Sequence, residues 1–189
     1  MILLLMGVML WAGAHLFPAV AAETRSRLME RLGRGRYRAV FSLVIAASVV
    51  LIVVGWKSST PVSVYRVPSL GPPLTGMAMV VALILFFAAR ARTNIKRAVR
   101  HPQLTGVLVW AAAHLLANGD SRSLVLFGGI GAWSIIQIWA TNRRDGPWIR
   151  PDPVPRRMDA VPVVIGAVAY GVLLWAHPWL FGVSAAHFS

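Results

Sequence analysis

The chain contains no cysteine. That excludes a disulfide, a thiolate ligand, a thiol nucleophile and palmitoylation, and it removes cysteine usage as a guide to compartment. Acid is nearly as scarce. Asp and Glu number six in 189 residues, and charged residues make up 13%, where a soluble domain carries roughly 25%. The six are Glu23, Glu30, Asp120, Asp145, Asp152 and Asp159, all in loops or at expected helix ends. Ser42, Ser48 and Ser134 fall within apolar runs with no acid in reach, so a hydrolytic triad is not supplied. No glycine-rich phosphate loop stands before a basic residue, which argues against a nucleotide hydrolase. Without Cys, and with almost no carboxylate in the apolar runs, a closed tetrahedral zinc site is poorly provided for. Tandem repeats and low-complexity segments are also lacking.

Apolar surface is what the chain has in quantity. Hydrophobic residues are 57% of the sequence and mean hydropathy is +0.66. Six apolar runs stand out: 2–21, 39–56, 73–91, 103–118, 124–140 and 160–176. About 20 apolar residues cross a bilayer as a helix, so the pattern predicts an all-α integral membrane protein. It would be a bundle of about six transmembrane helices forming one domain over residues 1–189. The fourth run is short for a span. The first has Ala19-Val20-Ala21 near its end, but no charge precedes it as in a signal peptide, so a retained helix is expected. In the fifth run, Gly128, Gly129 and Gly131 favour close helix contact. The segment 142–159 holds four prolines and reads as loop. A short apolar tail begins at His177-Pro178-Trp179.

Lys and Arg number 19, for a net charge of +13. They lie between the apolar runs, without the interleaved aromatic face of a single-strand binder, so nucleic acid is not the expected partner; membrane lipid is. Sixteen fall in the loops after runs one, three and five, and three (Lys57, Arg66 and Arg122) in the loops after runs two and four. The positive-inside rule makes the first set cytoplasmic and leaves both termini outside. Tyr37, Trp56, Trp148, Trp175 and Trp179 stand at run edges, where interfacial aromatics belong.

The most informative stretch is 98–120, AVRHPQLTGVLVWAAAHLLANGD. Arg100 and His101 sit outside an expected helix, Pro102 suits its first turn, and Asn118-Gly119 ends it, with Gly able to take a positive φ. His114 lies three turns in, among alanines, and His15 lies inside the first run. Ionisable residues within spans point to function. On antiparallel helices the Cα heights of His15 and His114 differ by roughly 7–8 Å, and their side chains lean toward each other's level. Haem requires only one or two axial protein ligands, so haem b held by His15 and His114 fits this inventory better than a bare metal. Lys96, Arg97, Arg100 and His101 form a basic group at the cytoplasmic mouth, able to meet the propionates. A packing role for each histidine, an interfacial role for His101 and a helix-end role for His177 stay open. His187, in the tail, carries no expected function.

Arg100-His101-Pro102-Gln103, Gly106, Trp110 to Asp120 with His114, and His15 to Pro18 together resemble the NnrU family of bacterial membrane proteins, over nearly the whole chain. The resemblance implies an inner-membrane protein tied to nitrite and nitric oxide metabolism. The family in turn resembles the plant 15-cis-zeta-carotene isomerase, a haem b membrane protein that isomerises a polyene when its iron is reduced. Its haem-ligating histidines would fall on His15 and His114, which implies a lipophilic small-molecule substrate and an isomerase-like enzyme. That enzyme has a cysteine three residues before the second histidine. Ala111 stands here, so no thiol is available for ligand exchange. Arg-His-Pro-x-x-x-Gly is also similar to a cofactor segment of isoprenylcysteine-type membrane methyltransferases, which carry a glutamate-rich segment near the C-terminus; this chain has no glutamate after Glu30. A non-enzymatic accessory to denitrification is the alternative from another class.

Overall fold

In hydrocarbon the backbone must satisfy its own hydrogen bonds, which turns long apolar runs into helices. A computed structural model describes residues 1–183; His187 lies outside the described residues. Among these, the chain is all-helical, with one isolated antiparallel bridge between Ser63 and Asp120 and no β-strand. Five helical segments are long and apolar enough to cross a membrane: Ile2–Val20, Arg34–Ser58, Gly71–Ala88, Ser121–Asp145 and Arg156–Phe181. The fourth run becomes a helix at Pro102–Ala117 of 16 residues. At 1.5 Å per residue it is about 24 Å long, short of the roughly 30 Å hydrocarbon core. The protein is a helical membrane bundle, with five helices of spanning length and a sixth, shorter apolar one among the described residues.

The chain divides into two compact units. The first comprises Met1–Tyr65 and Gly119–Pro147. Its helices are α1 (Ile2–Val20), α2 (Ala22–Leu32), α3 (Arg34–Ser58), the one-turn α7 (Ser121–Ser123), a π-helical turn (Leu124–Gly128) and α8 (Gly129–Asp145). Helix α1 packs against both α3 and α8. Small residues let it do so. A Cβ on Gly55 of α3 would run into the backbone of Leu4, and one on Gly129 would lie 2.7 Å from Val8 Cγ1. The expected use of Gly129 for close contact is therefore met. Ser48 is fully buried and donates its hydroxyl to the Ile45 carbonyl at 2.7 Å.

The second unit comprises Arg66–Asn118 and the described residues from Trp148 onward. It holds α4 (Gly71–Ala88), the short α5 (Ile95–Ala98), α6 (Pro102–Ala117), a 3-10 turn (Arg156–Asp159) and α9 (Ala160–Phe181). Here α4 is central and packs against α6 and α9. A Cβ on Gly106 of α6 would sit 2.6 Å from the Ala82 carbonyl oxygen, and one on Gly166 of α9 would sit 2.8 Å from Ile84 N.

Several boundaries differ from the sequence reading. The basic stretch after the first run is an 11-residue helix, α2, with no buried residue. It is amphipathic and short, so hydropathy alone passes over it. Gly33 turns the chain from α2 into α3 with φ +78°, a conformation in which a Cβ is costly. Helix α8 runs on to Asp145, and the proline-rich segment after it contains the 3-10 turn. Helix α9 passes through Pro178 to Phe181, so His177 lies inside a helix rather than opening a tail. Pro102 does open α6. Asn118-Gly119 ends it differently from expectation: Asn118 is extended, with φ −134° and ψ 112°, and Gly119 is not among the positive-φ glycines. Glycine is needed at 119 because a Cβ there would strike the Tyr65 carbonyl oxygen.

Residue 120 begins the next helix. The Asp120 carboxylate accepts from the Arg122 N–H at 2.9 Å, the Ser123 N–H at 3.2 Å and the Ser123 hydroxyl at 2.6 Å, a helix N-cap. Arg122 lies over the Trp56 ring, 4.6 Å from its centroid, and donates to the Trp56 and Ser59 carbonyls at 3.3 Å each. The strand-like segment before α4 pairs with the same corner, through Val64 N–H to Gly119 O at 2.8 Å and Ser121 N–H to Val62 O at 2.8 Å. Burial works against the charged form of Asp120, but the bonds from Ser123 and Arg122 outweigh it and hold its pKa below the usual carboxylate value. Asp120→Ala should cost about 1–2 kcal/mol of stability. A lowered folded pKa means this contribution is complete at neutral pH and is lost as pH falls through that folded value, below about 4. Denaturation of the wild type and the variant in detergent at pH 7 and near pH 3 checks both: the gap between them should shrink in acid.

Candidate cofactor-ligating histidines

His15 and His114 belong to different units, His15 to α1 in the first and His114 to α6 in the second. Each has the same local setting. His15 Nδ1 lies 2.8 Å from the Trp11 carbonyl, four residues back, and His114 Nδ1 lies 2.8 Å from the Trp110 carbonyl, also four back. A carbonyl can only accept, so in each ring Nδ1 is the donor of this bond. Each imidazole also packs on its own tryptophan, with ring centroids 4.1 Å apart for Trp11 and His15 and 4.8 Å for Trp110 and His114. The match follows from sequence. Trp11-Ala12-Gly13-Ala14-His15-Leu16 and Trp110-Ala111-Ala112-Ala113-His114-Leu115 share the pattern Trp-Ala-x-Ala-His-Leu. Aligning the chain on its two in-span histidines reveals this; a search for long tandem repeats does not.

Around His15 the first unit supplies further aromatic rings. Trp133 of α8 meets it edge-on at 5.6 Å and Phe41 of α3 at 6.1 Å, while Trp11 and Trp133 stand 4.5 Å apart at 71°. Trp133 is 6% exposed and its Nε1 has no hydrogen-bond partner. Sequence reasoning did not single out Trp133 or Phe41, because they are aromatic residues within otherwise ordinary spans.

His114 is held through its backbone. Thr75 of α4 lies with its hydroxyl 2.8 Å from both the Gly71 and the Ala113 carbonyls, and Asn118 Nδ2 donates to the His114 carbonyl at 2.8 Å. Ala111 and Ala113 are buried on either side, and Ala112 between them is exposed. His114 itself is half-buried. His177, on α9 of the same unit, bonds through Nδ1 to the Val183 carbonyl at 2.8 Å and packs on Phe181.

The basic residues fall at the other end of α6. Lys96 and Arg97 lie on α5, Arg100 precedes α6, and His101 is its N-cap, making no side-chain cap bond. His101 and His114 are thirteen residues apart on one helix, roughly 20 Å, so they do not share a centre. The segment carrying the cations is fixed by Asp159, which accepts from the Thr93 hydroxyl at 2.6 Å and the Asn94 N–H at 2.7 Å, and by Asn94, which exchanges bonds with Val154 N and O at 3.0 and 2.8 Å. These bonds put the loops after α4 and before α9 at one end of the second unit. Among the described residues, no three of His, Asp and Glu gather as a metal-holding group.

A polytopic helical bundle whose two histidines on apolar helices share one backbone hydrogen-bond pattern defines the class, an integral membrane protein with candidate ligands on its apolar helices. The NnrU protein family profile matches residues 3–185, and the chain belongs to that family. No curated protein and no solved structure matches it.

Thr75 ties α4 to the turn of α6 that carries His114. Thr75→Val keeps its shape and removes the hydroxyl, and should lower stability by about 1 kcal/mol. Thermal unfolding in detergent measures it; an unchanged midpoint would show that the bond contributes nothing.

Proposed function

We propose that this NnrU-family membrane protein binds haem b, which the Nε2 atoms of His15 and His114 would hold. The observation that supports this most is the tautomer. In both histidines Nδ1–H is committed to the carbonyl four residues back, which fixes the ring and turns Nε2 into the ligating atom, as partners of metal-bound histidines do. The donor set suits haem, since axial ligation asks for one or two imidazoles and neither thiolate nor carboxylate. The flat apolar faces of Trp11, Trp133 and Phe41 around His15 suit a macrocycle. Haem supplies one-electron chemistry at its iron. The chain's own residues orient the imidazoles, keep water away with tryptophan and alanine, and would offer the cations of Lys96, Arg97 and Arg100, with the imidazole of His101 beside them, to the propionates.

Family membership together with this ligand pair favours a role in nitrite and nitric oxide metabolism, or a redox-gated cis-trans isomerisation of a lipophilic polyene. Counting α6 as a sixth crossing, the distribution of basic residues favours both termini outside, and family membership favours a bacterial inner membrane. A C-terminal alkaline phosphatase fusion should then be active and a C-terminal fluorescent protein fusion dark; the reverse pair inverts the orientation.

Absorbance spectra of the purified protein test the haem assignment. The wild type should show a Soret band and a reduced bis-histidine spectrum. His15→Ala and His114→Ala should each shift it from six- toward five-coordinate or lose haem, while His101→Ala should change it little. Replacing Lys96, Arg97 and Arg100 together by Gln should weaken haem retention. A colourless wild type, with His114→Ala costing only about 1–3 kcal/mol of stability, would mark the histidines as packing residues and the protein as a non-enzymatic accessory.

A further inference from the structure

The polar end of the first unit, where α1 ends, α2 lies and α3 begins, contains a cleft of about 290 Å³ lined by Pro18, Arg25, Tyr37, Arg38, Phe41 and Ser42. Its composition is unusual for a surface depression. One wall is apolar, made by Pro18 and Phe41. The other carries two guanidinium groups and two hydroxyls. Arg25 stacks over Tyr37 with its guanidinium carbon 5.6 Å from the ring centroid, and Tyr37 stacks on Phe41 at 6.4 Å. This packing holds both polar side chains in place. Yet Arg25 Nε and the Tyr37 hydroxyl are buried atoms with no hydrogen-bond partner. Two buried polar atoms left unpaired on residues that line one cleft cost about 1–3 kcal/mol each, and an oxyanion seated against them would satisfy both. No acid lines the cleft; Glu23 is already paired with Arg27 on α2.

We propose that this cleft is a seat for the phosphate of an anionic phospholipid. Arg25 Nε–H and the Tyr37 hydroxyl donate to the phosphate oxygens, and Arg38 adds charge from the exposed side. Guanidinium is the side chain best matched to phosphate. The location fits a lipid rather than a soluble anion: the cleft lies where the apolar span of α1 gives way to the basic α2. Its apolar side continues along α3 to Val49, two turns beyond Ser42 on the same face, which is 45% exposed and can lie along an acyl chain. Anionic lipid headgroups attract such juxtamembrane cations by about 1 kcal/mol per charge, and the fixed guanidinium and phenol add direction to that attraction. The assignment does not depend on haem.

The test uses the full-length protein in a neutral detergent, titrated with phosphatidylglycerol, phosphatidylcholine or inorganic phosphate, with thermal unfolding as the readout. Phosphatidylglycerol should raise the midpoint in a saturable way; the other two should not. Arg25→Gln should weaken the apparent affinity about tenfold or more, Tyr37→Phe should weaken it less, and Arg31→Gln, outside the cleft, should leave it unchanged. Tyr37→Phe changes one atom and guards against a folding defect in the arginine variant. An equal response to phosphatidylcholine, or to inorganic phosphate, overturns the proposal. So does an unchanged phosphatidylglycerol response in both cleft variants. The Soret absorbance per mole of protein is recorded in the same samples: a loss of haem in Arg25→Gln with the lipid response intact would assign the cleft to a carboxylate of haem instead.

Discussion

A bilayer offers no water, so a polar group within it is costly until the protein supplies a partner, and this one constraint arranges most of what is seen. It makes the spans helical, and it sends the few polar side chains back to their own backbone. Ser48 bonds to the carbonyl of Ile45, Thr75 lies between those of Gly71 and Ala113, and His15 and His114 each bond to the carbonyl four residues earlier. For a hydroxyl this is an end in itself. For an imidazole it settles only half of the ring. The same bond that makes a histidine tolerable in hydrocarbon also makes Nδ1 the donor and holds the ring in one orientation.

The spans were legible because hydropathy and length are properties of composition, and the bilayer reads composition. Even the shortness of the fourth run was visible, and it is realised as the 16-residue α6. What hydropathy could not register was structure made by polar residues. The arginine-rich stretch after α1 looks like a loop because its mean is polar, whereas Leu28, Met29 and Leu32 recur at helical spacing along α2. Asp120 looks like the tail of a helix stop because Asn-Gly precedes it, whereas its carboxylate starts the following helix. The proline at 178 looks like a terminus, whereas α9 passes through it. The two histidines could be named from sequence by their rarity in spans. Their shared Trp-Ala-x-Ala-His-Leu setting and the rings around His15 required tertiary proximity, or a comparison of the chain with itself.

The two units use the same means in different order. In the first, the histidine-bearing helix α1 is also the one against which α3 and α8 pack. In the second, α4 takes that central place, and the histidine lies on its neighbour α6. The Trp-Ala-x-Ala-His-Leu segment is thus not tied to one position in a bundle. Its local geometry is carried by the segment itself, since the tryptophan that stacks on the imidazole also provides the accepting carbonyl.

The π-helical turn at Leu124–Gly128 sets a phase relation within its span. A π turn accommodates one more residue than an α turn, so the apolar stripe before it and the one after it are offset along the sequence while remaining aligned in space. Each residue advances an α-helix by about 100°. A one-residue deletion in this turn that restores regular α-helix would therefore leave Trp133 facing His15, whereas the same deletion between the turn and Trp133, in regular α-helix, would rotate the indole by about 100° away from it. Spacing here is information in its own right: the place at which a residue is added or lost between 120 and 133 is as much a part of the His15 surroundings as the indole itself.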